Sequence, residues 1–340
     1  MTDTAVPGIP NAVYKTATVN GNTYRYIYSC PPHTEPTDTV LLVHGFPDLA
    51  VGWRHQIPKL VALGLRVIAP DQLGYGGTDA PEALERYSFK SVANDLAALV
   101  RLEVGSSTAQ ILLGGHDWGG MVAWRLAEWH PQLIKAIFTV CTPYVAPAAT
   151  FHDLDVLVQS GRAPSFGYQL QFRDGTVEKA ACDRAGIRAF LTVLFGGRSD
   201  DGGMLFSPAT GVDLERLGQA TESPLVSAAE LDYHADQQAR NGLRGPLNWY
   251  RTRRINFDDE RALPRDRVFD IPALFVQALN DVAIRPEMSL GMDKHFSNLT
   301  RAKTEAGHWA LLQAPQEVNE CIERWLRDQK LVSGKVSARI

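Results

Sequence analysis

Ile111-Leu112-Leu113-Gly114-Gly115-His116-Asp117-Trp118-Gly119-Gly120-Met121 is the stretch that decides the fold. Its apolar start predicts a buried strand, the glycines that follow predict a tight turn, and a helical pattern begins at Gly119. The glycines at positions 115 and 119 permit the close backbone approach that lifts the side chain of Asp117 above the sheet. The stretch is therefore predicted to form a nucleophile elbow with Asp117 at its tip.

Short apolar runs like this one recur along the chain, with helical patterns between them. Each run is too short for a helix and lacks alternation, which is typical of strands buried on both faces of a parallel sheet. Asn20-Gly21, between two β-rich segments, predicts a hairpin near the start. The predicted fold class is α/β, with a mostly parallel, doubly wound sheet. Strands are predicted at residues 12–19, 24–28, 40–43, 67–69, 111–113, 134–140 and 273–276, and helices at residues 92–102, 119–129 and 317–326.

The stretch from residue 146 to residue 268 interrupts this alternation. It carries many charged and aromatic residues, two loops rich in glycine and proline at residues 196–208 and 242–246, and no run that predicts a buried strand. We therefore predict a helical lid, or cap, inserted into the core. The predicted domains are residues 1–145 for the first part of the core, 146–268 for the cap and 269–340 for the second part of the core.

Composition limits the partners and the compartment. Lysine and arginine number 34 against 38 aspartates and glutamates, a net charge of −4, so no basic excess indicates binding to nucleic acid. No apolar run approaches the roughly 18 residues of a membrane span, and the start of the sequence lacks the layout of a signal peptide. The four scattered cysteines predict free buried thiols rather than disulfides or a zinc site. We expect a cytoplasmic protein and interpret Ala338-Arg339-Ile340 as a tail rather than a peroxisomal address.

The residue type at the elbow indicates its chemistry. The carboxylate of Asp117 is ionised at pH 7, so it can attack an electrophilic sp³ carbon without the activating base that a serine would need. Attack would leave an alkyl ester on Asp117, which water must then cleave. The alternative interpretation is a glycine-rich turn whose aspartate only caps the following helix.

Six segments spread over most of the chain carry a family resemblance: His44-Gly45-Phe46-Pro47, Trp53-Arg54-His55-Gln56, Asp71-Gln72-Leu73-Gly74-Tyr75-Gly76, Gly115-His116-Asp117-Trp118-Gly119-Gly120, Gly245-Pro246-Leu247-Asn248-Trp249-Tyr250-Arg251 and Gly307-His308-Trp309. Together they resemble the epoxide hydrolases of the α/β-hydrolase fold superfamily. The resemblance implies an α/β-hydrolase fold with an inserted cap, which hydrolyses a small-molecule epoxide to a vicinal diol through an ester on the elbow aspartate. No metal or organic cofactor is implied, because neither step moves electrons and every reacting group is a side chain.

The resemblance also assigns the base and the acid of ester cleavage. It places the base at His308, shortly before the last predicted helix. The acid that orients this base is expected in the loop after the last predicted strand, where Asp281 lies. The chain order Asp117, Asp281, His308 is the nucleophile, acid, base order of this fold. His44 and His116 are the other histidines near the predicted site, but both flank turns.

Ester cleavage builds negative charge on the carbonyl oxygen of Asp117, so two fixed hydrogen-bond donors are expected to face it. In this fold the donors are the backbone N–H of the residue after the nucleophile, here Trp118, and of the residue after His-Gly, here Phe46. The side chains of Phe46 and Trp118 are expected to line an apolar substrate pocket.

Two cap tyrosines are expected to protonate the epoxide oxygen. Epoxide opening leaves an alkoxide, which is a poor leaving group unless a donor stabilises it. The resemblance matches Tyr168 and Tyr250 to the family's pair. A tyrosine in a helical cap is otherwise more often a packing residue, and Tyr144 and Tyr233 are the alternatives for this role.

A dehalogenase on the same fold is the closest alternative, because it uses the same aspartate and histidine. A haloalkane dehalogenase needs N–H donors for the halide; Trp118 could supply one, but Phe46 stands where an amide side chain is expected. A haloacid dehalogenase needs an arginine just after the nucleophile, where Trp118 and Met121 lie. Asp117 disfavours an esterase, and the complete set of catalytic residues disfavours a non-catalytic binding protein of this fold. The substrate, the oligomeric state and the biological role, of which detoxification is one, stay open.

Overall fold

The structure, a computed structural model, describes residues 4–332. Within this range the chain forms eleven strands and twelve α-helices. The strands are β1 (Thr4–Ala5), β2 (Ala12–Val19), β3 (Asn22–Ser29), β4 (Asp38–Val43), β5 (Leu65–Pro70), β6 (Ile111–His116), β7 (Ile134–Val140), β8 (Phe206–Ser207), β9 (Gly211–Val212), β10 (Ala273–Ala278) and β11 (Leu299–Thr304). The helices are α1 (Ile57–Ala62), α2 (Phe89–Val104), α3 (Trp118–Trp129), α4 (Leu154–Gln159), α5 (Tyr168–Asp174), α6 (Thr176–Ala180), α7 (Arg184–Leu194), α8 (Ala228–Gln238), α9 (Arg244–Asn248), α10 (Arg253–Glu260), α11 (Ala310–Gln313) and α12 (Pro315–Asp328).

Nine strands form one sheet in the order β1-β2-β3-β5-β4-β6-β7-β10-β11. The neighbours from β5 to β11 are parallel, and β1, β2 and β3 are antiparallel at one end. The central strands are buried along almost their whole length, which explains why their sequences are continuous apolar runs. The predicted α/β class and the mostly parallel sheet are confirmed.

The hairpin between β2 and β3 is also confirmed. Asn20 and Gly21 both have positive φ, at 48° and 84°. A two-residue hairpin turn needs this left-handed conformation at both positions, and asparagine followed by glycine adopts it at little steric cost. The hairpin extends the sheet on the side opposite β11.

Helices α4 to α10 and the short β8–β9 ladder lie between β7 and β10 in the chain. This insertion carries Tyr168 as the first residue of α5 and Tyr250 just after α9. It contacts the core through a buried polar pair, in which Nε2 of His234 lies 3.1 Å from Oδ1 of Asp48. The segment is largely helical, as expected; its boundaries at residues 146 and 268 stay a prediction.

Several elements differ from the sequence expectations, and two of them have a clear physical reason. The sequence does not predict β11, because its residues alternate polar and apolar only weakly and the strand lies at the edge of the sheet, where one flank is unpaired. Pro246 lies inside α9, where a loop was expected. It occupies the third position of that helix, whose N–H would have no partner within the helix, so the proline is tolerated there.

The structure bears on two further predictions, the state of the cysteines and the lack of a membrane span. None of the four cysteines, all of which are described, forms a disulfide; Cys141 is buried, but Cys182 is exposed, so the prediction of burial was wrong for that residue. No helix within residues 4–332 is both long and apolar enough to cross a membrane. The tail Ala338-Arg339-Ile340 lies outside the described residues.

Candidate active site

The turn after β6 places Asp117 at the carboxyl end of that strand and just before α3. Its backbone has φ 53° and ψ −126°, a conformation that residues other than glycine rarely adopt, so the turn is strained at this residue. Crowding explains the neighbouring glycines. A Cβ on Gly115 would lie 2.5 Å from the carbonyl oxygen of Gly119, and one on Gly45 would collide with the Asp117 carboxylate. The predicted elbow is therefore present, with a buried carboxylate at its tip.

Two loops of the second half of the core bring His308 and Asp281 to Asp117. Nδ1 of His308 lies 2.8 Å from Oδ2 of Asp281, and Nε2 lies 3.5 Å from Oδ2 of Asp117. The other carboxylate oxygen of Asp281 accepts hydrogen bonds of 2.9 Å from the backbone N–H groups of Ala283 and Ile284. Asp281 is thus fixed by its own loop and can orient the imidazole. The three residues that the sequence suggests as nucleophile, acid and base lie together.

In these three residues, burial and the neighbouring charges shift the pKa values in opposite directions. Burial disfavours the charged form of His308, but Asp281 and Asp117 outweigh it and hold the pKa of His308 well above its usual value. Burial also raises the pKa of Asp117, but the hydrogen bond and charge of His308 outweigh it, so this pKa lies below its usual 3.8. The pKa of Asp281 is lowered for the same reason. Both shifts favour an ionised Asp117 beside a charged His308 in the resting site.

The two oxygens of Asp117 have different surroundings. The backbone N–H of Phe46 donates to Oδ1 at 2.8 Å, whereas Oδ2 faces His308. The backbone N–H of Trp118, after the larger effects of burial and His308, also helps to lower the pKa of the Asp117 carboxyl. Thr142 fixes the elbow itself, because its Oγ1 donates to the carbonyl oxygen of Asp117 at 2.9 Å. Of the two backbone donors suggested by the sequence, Phe46 donates directly to this carboxylate, and the role of Trp118 stays a prediction.

Tyr168 and Tyr250 are buried and line the same cavity as Asp117. Their ring centroids are 6.1 Å apart. Burial, followed by the charge of Asp117, raises the pKa of Tyr168, and burial, followed by Tyr168 and Asp117, raises the pKa of Tyr250. Both phenols therefore stay protonated near neutral pH and can act as donors.

The alternative tyrosines have other partners. The hydroxyl of Tyr144 donates to Oε1 of Glu128 at 2.6 Å, and the hydroxyl of Tyr233 lies 2.6 Å from that of Tyr14. Neither Tyr144 nor Tyr233 lines the cavity with Asp117.

The alternative histidines hold the backbone of the site. Nδ1 of His44 lies 2.8 Å from the carbonyl oxygen of the next residue, and its Nε2 accepts from the backbone N–H of Gln72 at 2.9 Å. Nε2 of His116 donates to the carbonyl oxygen of His308 at 2.8 Å, and the thiol of Cys141 donates to the same oxygen at 3.4 Å. Possible metal-ligand atoms of His116, Cys141 and His308 lie within 4.8 Å of one another, and this shared carbonyl accounts for their proximity.

The cavity at Asp117 has a volume of about 540 Å³. Its walls are mostly apolar and aromatic, with Trp118, Met121, Phe151, Phe166 and Phe257 among them. This size and lining are typical of a site for a small organic ligand. The side chain of Phe46 is not part of the lining, although it packs against Tyr250 with ring centroids 5.2 Å apart.

Sequence reasoning missed two polar features of the cavity. Gln169 is buried beside Tyr168, and its Nε2 donates to the Tyr168 hydroxyl at 3.3 Å. Arg125, on the helix after the elbow, donates to Glu260 through Nε and Nη2 at 2.8 and 3.0 Å, and both residues are buried. The sequence offers a reason to consider Gln169, because it directly follows Tyr168 in the chain. The Arg125–Glu260 pair joins distant parts of the chain and leaves no local pattern.

Comparisons of sequence and of structure with known proteins both find the same family. A family model described as the alpha/beta hydrolase fold matches residues 38–315. Epoxide hydrolase srdG of Neurospora crassa is 41% identical over 96% of this chain and 98% of its own length. Bifunctional epoxide hydrolase 2 of Rattus norvegicus is 33% identical over 85% of this chain, which spans about half (52%) of that larger protein. The crystal structure of epoxide hydrolase A from Mycobacterium thermoresistibile matches with a TM-score of 0.75 and 31% identity, over 93% of this chain and 98% of the other.

Proposed function

The chain belongs to the epoxide hydrolases of the alpha/beta hydrolase fold, and from this membership we propose that Asp117 opens an epoxide and that His308 and Asp281 then release a vicinal diol. One observation carries the proposal. Asp117 shares a cavity with two buried phenols, and its Oδ2 lies 3.5 Å from Nε2 of His308. A carboxylate supports attack on an sp³ carbon, and the phenols suit an alkoxide leaving group, which a dehalogenase does not produce.

In the first step, Oδ2 of Asp117 attacks an epoxide carbon and the bond from that carbon to the epoxide oxygen breaks. Tyr168 and Tyr250 hydrogen-bond this oxygen, and one of them transfers its proton as the alkoxide forms. The product is a hydroxyalkyl ester of Asp117 and a tyrosinate. Although burial raises the pKa of both tyrosines, an alkoxide is a far stronger base and takes the proton.

In the second step, water attacks the ester carbonyl carbon and gives its proton to Nε2 of His308. The negative charge on Oδ1 is stabilised by the backbone N–H groups of Phe46 and Trp118. The bond between the carbonyl carbon and Oδ2 then breaks, so the diol leaves with Oδ2 and the carboxylate retains the oxygen of water. Asp281 orients the imidazole and stabilises its charged form, which gives the proton of water to the leaving Oδ2. The carboxylic acid that remains on Asp117 then protonates His308 and restores the resting pair.

The first step prepares the base for the second. His308 has a raised pKa because it faces two carboxylates, Asp281 and Asp117. Esterification removes the charge of Asp117 and therefore one of these two effects. The pKa of His308 falls and its proton passes to the tyrosinate formed in the first step. The neutral imidazole that accepts a proton from water is therefore available only when there is an ester to cleave.

The wider assignments follow from the same reasoning. We assign residues 146–268 to a cap that supplies both tyrosines, and residues 1–145 and 269–340 to the core that supplies the other reacting groups. A cytoplasmic location is supported by four cysteines that remain free thiols, which is typical of a reducing compartment. The ligand is a small-molecule epoxide.

Turnover of a chromogenic aryl epoxide by the purified full-length protein tests this function. Chromatography should show the vicinal diol without an added metal or cofactor. A haloalkane of matched size is the control for the alternative activity and should release no halide. Halide release without diol formation would instead support the dehalogenase, and inertness toward a panel of aryl and alkyl epoxides would contradict the proposed function.

A further inference from the structure

The charges that line the cavity do not balance. Among residues 4–332, four arginines but only two carboxylates lie on its wall. Both carboxylates have a partner. Asp117 faces His308, and Glu260 accepts two hydrogen bonds from the guanidinium of Arg125. The other three arginines lie on the inserted helices and their loops, away from the elbow in the chain. The wall therefore carries an excess of positive charge that the catalytic groups do not use.

The three arginines differ in their partners. Arg173 is paired with Asp153 at 3.3 Å and with Asp155. Arg162 donates through Nε to a serine hydroxyl, and Arg253 donates through Nε to the carbonyl oxygen of His152 at 3.0 Å. Neither Arg162 nor Arg253 has an ion pair in the part of the chain that the structure describes. Their terminal nitrogens therefore remain available to a ligand.

We propose that Arg162 and Arg253 form a subsite for an acidic group, such as a carboxylate or a phosphate, carried by the substrate at a distance from its epoxide. This inference rests on the proposed function, because the epoxide must lie at Asp117. An arginine can bind either acid through two parallel hydrogen bonds. The aromatic wall of the same cavity, which includes Phe151 and Phe257, requires that the part of the substrate between the two ends be apolar.

The surroundings of Arg253 support this assignment. Both arginines are exposed at the surface of the molecule yet line the cavity, so they lie where it meets solvent. Burial of part of the guanidinium lowers the pKa of Arg253; Asp153 opposes this shift and Arg173 adds to it. A cation that makes no direct ion pair and lies close to another cation is stabilised when an anion binds. An acidic substrate group would supply that anion.

A pair of matched epoxides tests the subsite. The first is a straight-chain terminal epoxide whose other end is a carboxylate, and the second is the corresponding primary amide. The wild-type protein should prefer the carboxylate at low ionic strength, and the preference should diminish as salt is added. Arg253→Gln should reduce the carboxylate-to-amide ratio of kcat/KM about 3- to 10-fold through KM rather than kcat, and Arg162→Gln combined with Arg253→Gln should abolish the preference.

Two further variants control for charge and folding. Arg254 is the neighbour of Arg253 on α10 and pairs with Asp258 at 2.8 Å; it does not itself line the cavity, although its guanidinium lies 4.9 Å from the ring centroid of Phe151. Arg254→Gln should leave the ratio within about twofold of wild type, since its charge is already paired. Arg253→Lys keeps the positive charge and should retain most of the preference. If the double variant keeps the wild-type ratio, or if the wild-type protein prefers the amide, the subsite does not exist.

A binding measurement separates the subsite from the reaction. Trp118 and Trp249 line the cavity, so their fluorescence can report binding of a saturated fatty acid and of its amide, neither of which can react. Tighter binding of the acid, lost in the double variant, would support the subsite even if no epoxide were hydrolysed. Turnover of both epoxides with equal KM would leave the proposed function intact and overturn the subsite.

Discussion

The backbone N–H of Phe46 lies 2.8 Å from Oδ1 of Asp117, so the two oxygens of this carboxylate are not equivalent. Oδ1 has a donor fixed in the loop after β4, whereas Oδ2 faces Nε2 of His308 at 3.5 Å. The oxygen with the shorter N–H contact is the weaker nucleophile and is already placed to become the ester carbonyl, whereas the longer contact of Oδ2 with His308 leaves it freer to attack. We therefore expect Oδ2 to attack the epoxide and to leave with the diol.

Isotope labelling tests the transfer of this oxygen. In ¹⁸O water, with enzyme in excess over substrate, the diol of the first turnover should contain no label, because its new oxygen comes from Asp117. Mass spectrometry should find the label in the peptide that contains Asp117. Incubation through many turnovers is the control, and there the diol should become labelled. Label in the diol of the first turnover would mean that water attacks the epoxide directly.

His308 is expected to act only after the ester has formed. The substitution His308→Gln should let the protein react once and then accumulate as an alkyl-enzyme, because Asp117 needs no base to attack. Intact-protein mass spectrometry should show the mass of one substrate added to nearly every chain. Asp117→Ala, treated identically, should remain unmodified. An unmodified His308→Gln protein that is still folded would place His308 in the first step.

The pKa of His308 should differ between the free protein and the alkyl-enzyme. Asp281 and Asp117 raise it in the free protein, and esterification removes the charge of Asp117. Decay of the alkyl-enzyme should therefore titrate at a lower pH than the His308 ring does in the NMR spectrum of the free protein. Its rate should rise with pH through that lower value, because the neutral imidazole is the base. Identical values in the two states would show that the charge of Asp117 does not control His308.

The same shift sets the dependence of stability on pH. Because the pKa of His308 is raised in the folded state, its contribution to the free energy of unfolding is fully present below its usual value of about 6.5. The contribution is lost as the pH rises through the higher folded-state pKa. Urea denaturation of wild type and of His308→Gln should thus differ most in slightly acidic solution and converge at alkaline pH. A difference independent of pH would contradict this linkage.

The buried pair of Arg125 and Glu260 should be important for stability. Glu260→Gln replaces two charge-assisted hydrogen bonds of Arg125 by contacts with a neutral amide, while Glu128 remains 3.9 Å from the guanidinium, so the free energy of unfolding should fall by about 1.5 to 3 kcal/mol. Asp258→Asn, which breaks an exposed pair with Arg254 on the same helix, should change it by less than about 1 kcal/mol. If the two substitutions lowered the free energy of unfolding equally in urea denaturation, burial would not make the Arg125–Glu260 pair more important for stability than the Arg254–Asp258 pair.

The sequence predicts those parts of the site that depend on local geometry. The glycines around Asp117 exist because a Cβ there would meet backbone or the carboxylate itself, and this crowding is visible as a motif. The buried strands are visible because both of their faces need apolar residues. Gln277 on β10 shows the limit of that signal, since it interrupts an apolar run and hydrogen-bonds the carbonyl oxygen of Pro286 at 2.9 Å.

Features that depend on distant contacts are not visible in the sequence. Residues of β11 are mostly polar because the strand has only one neighbour in the sheet. Arg125 and Glu260 are 135 positions apart, and only the folded chain brings them together. The cavity wall is made largely by inserted helices and loops, and their sequences do not show which residues face the substrate.

The last prediction concerns Tyr168 and Tyr250, which share one cavity with Asp117. Loss of one phenol should slow alkylation about 10- to 150-fold, because one donor in a water-poor pocket is worth roughly 1.5 to 3 kcal/mol. The remaining phenol can still protonate the alkoxide. Tyr168→Phe combined with Tyr250→Phe leaves no proton donor, so alkylation should fall far below the product of the two single effects. Tyr233→Phe, a cap tyrosine outside the cavity, is the matched control and should alkylate at close to the wild-type rate. Stopped-flow measurements decide the matter: if the double variant alkylates within about tenfold of wild type, the two tyrosines are packing residues and another group protonates the epoxide oxygen.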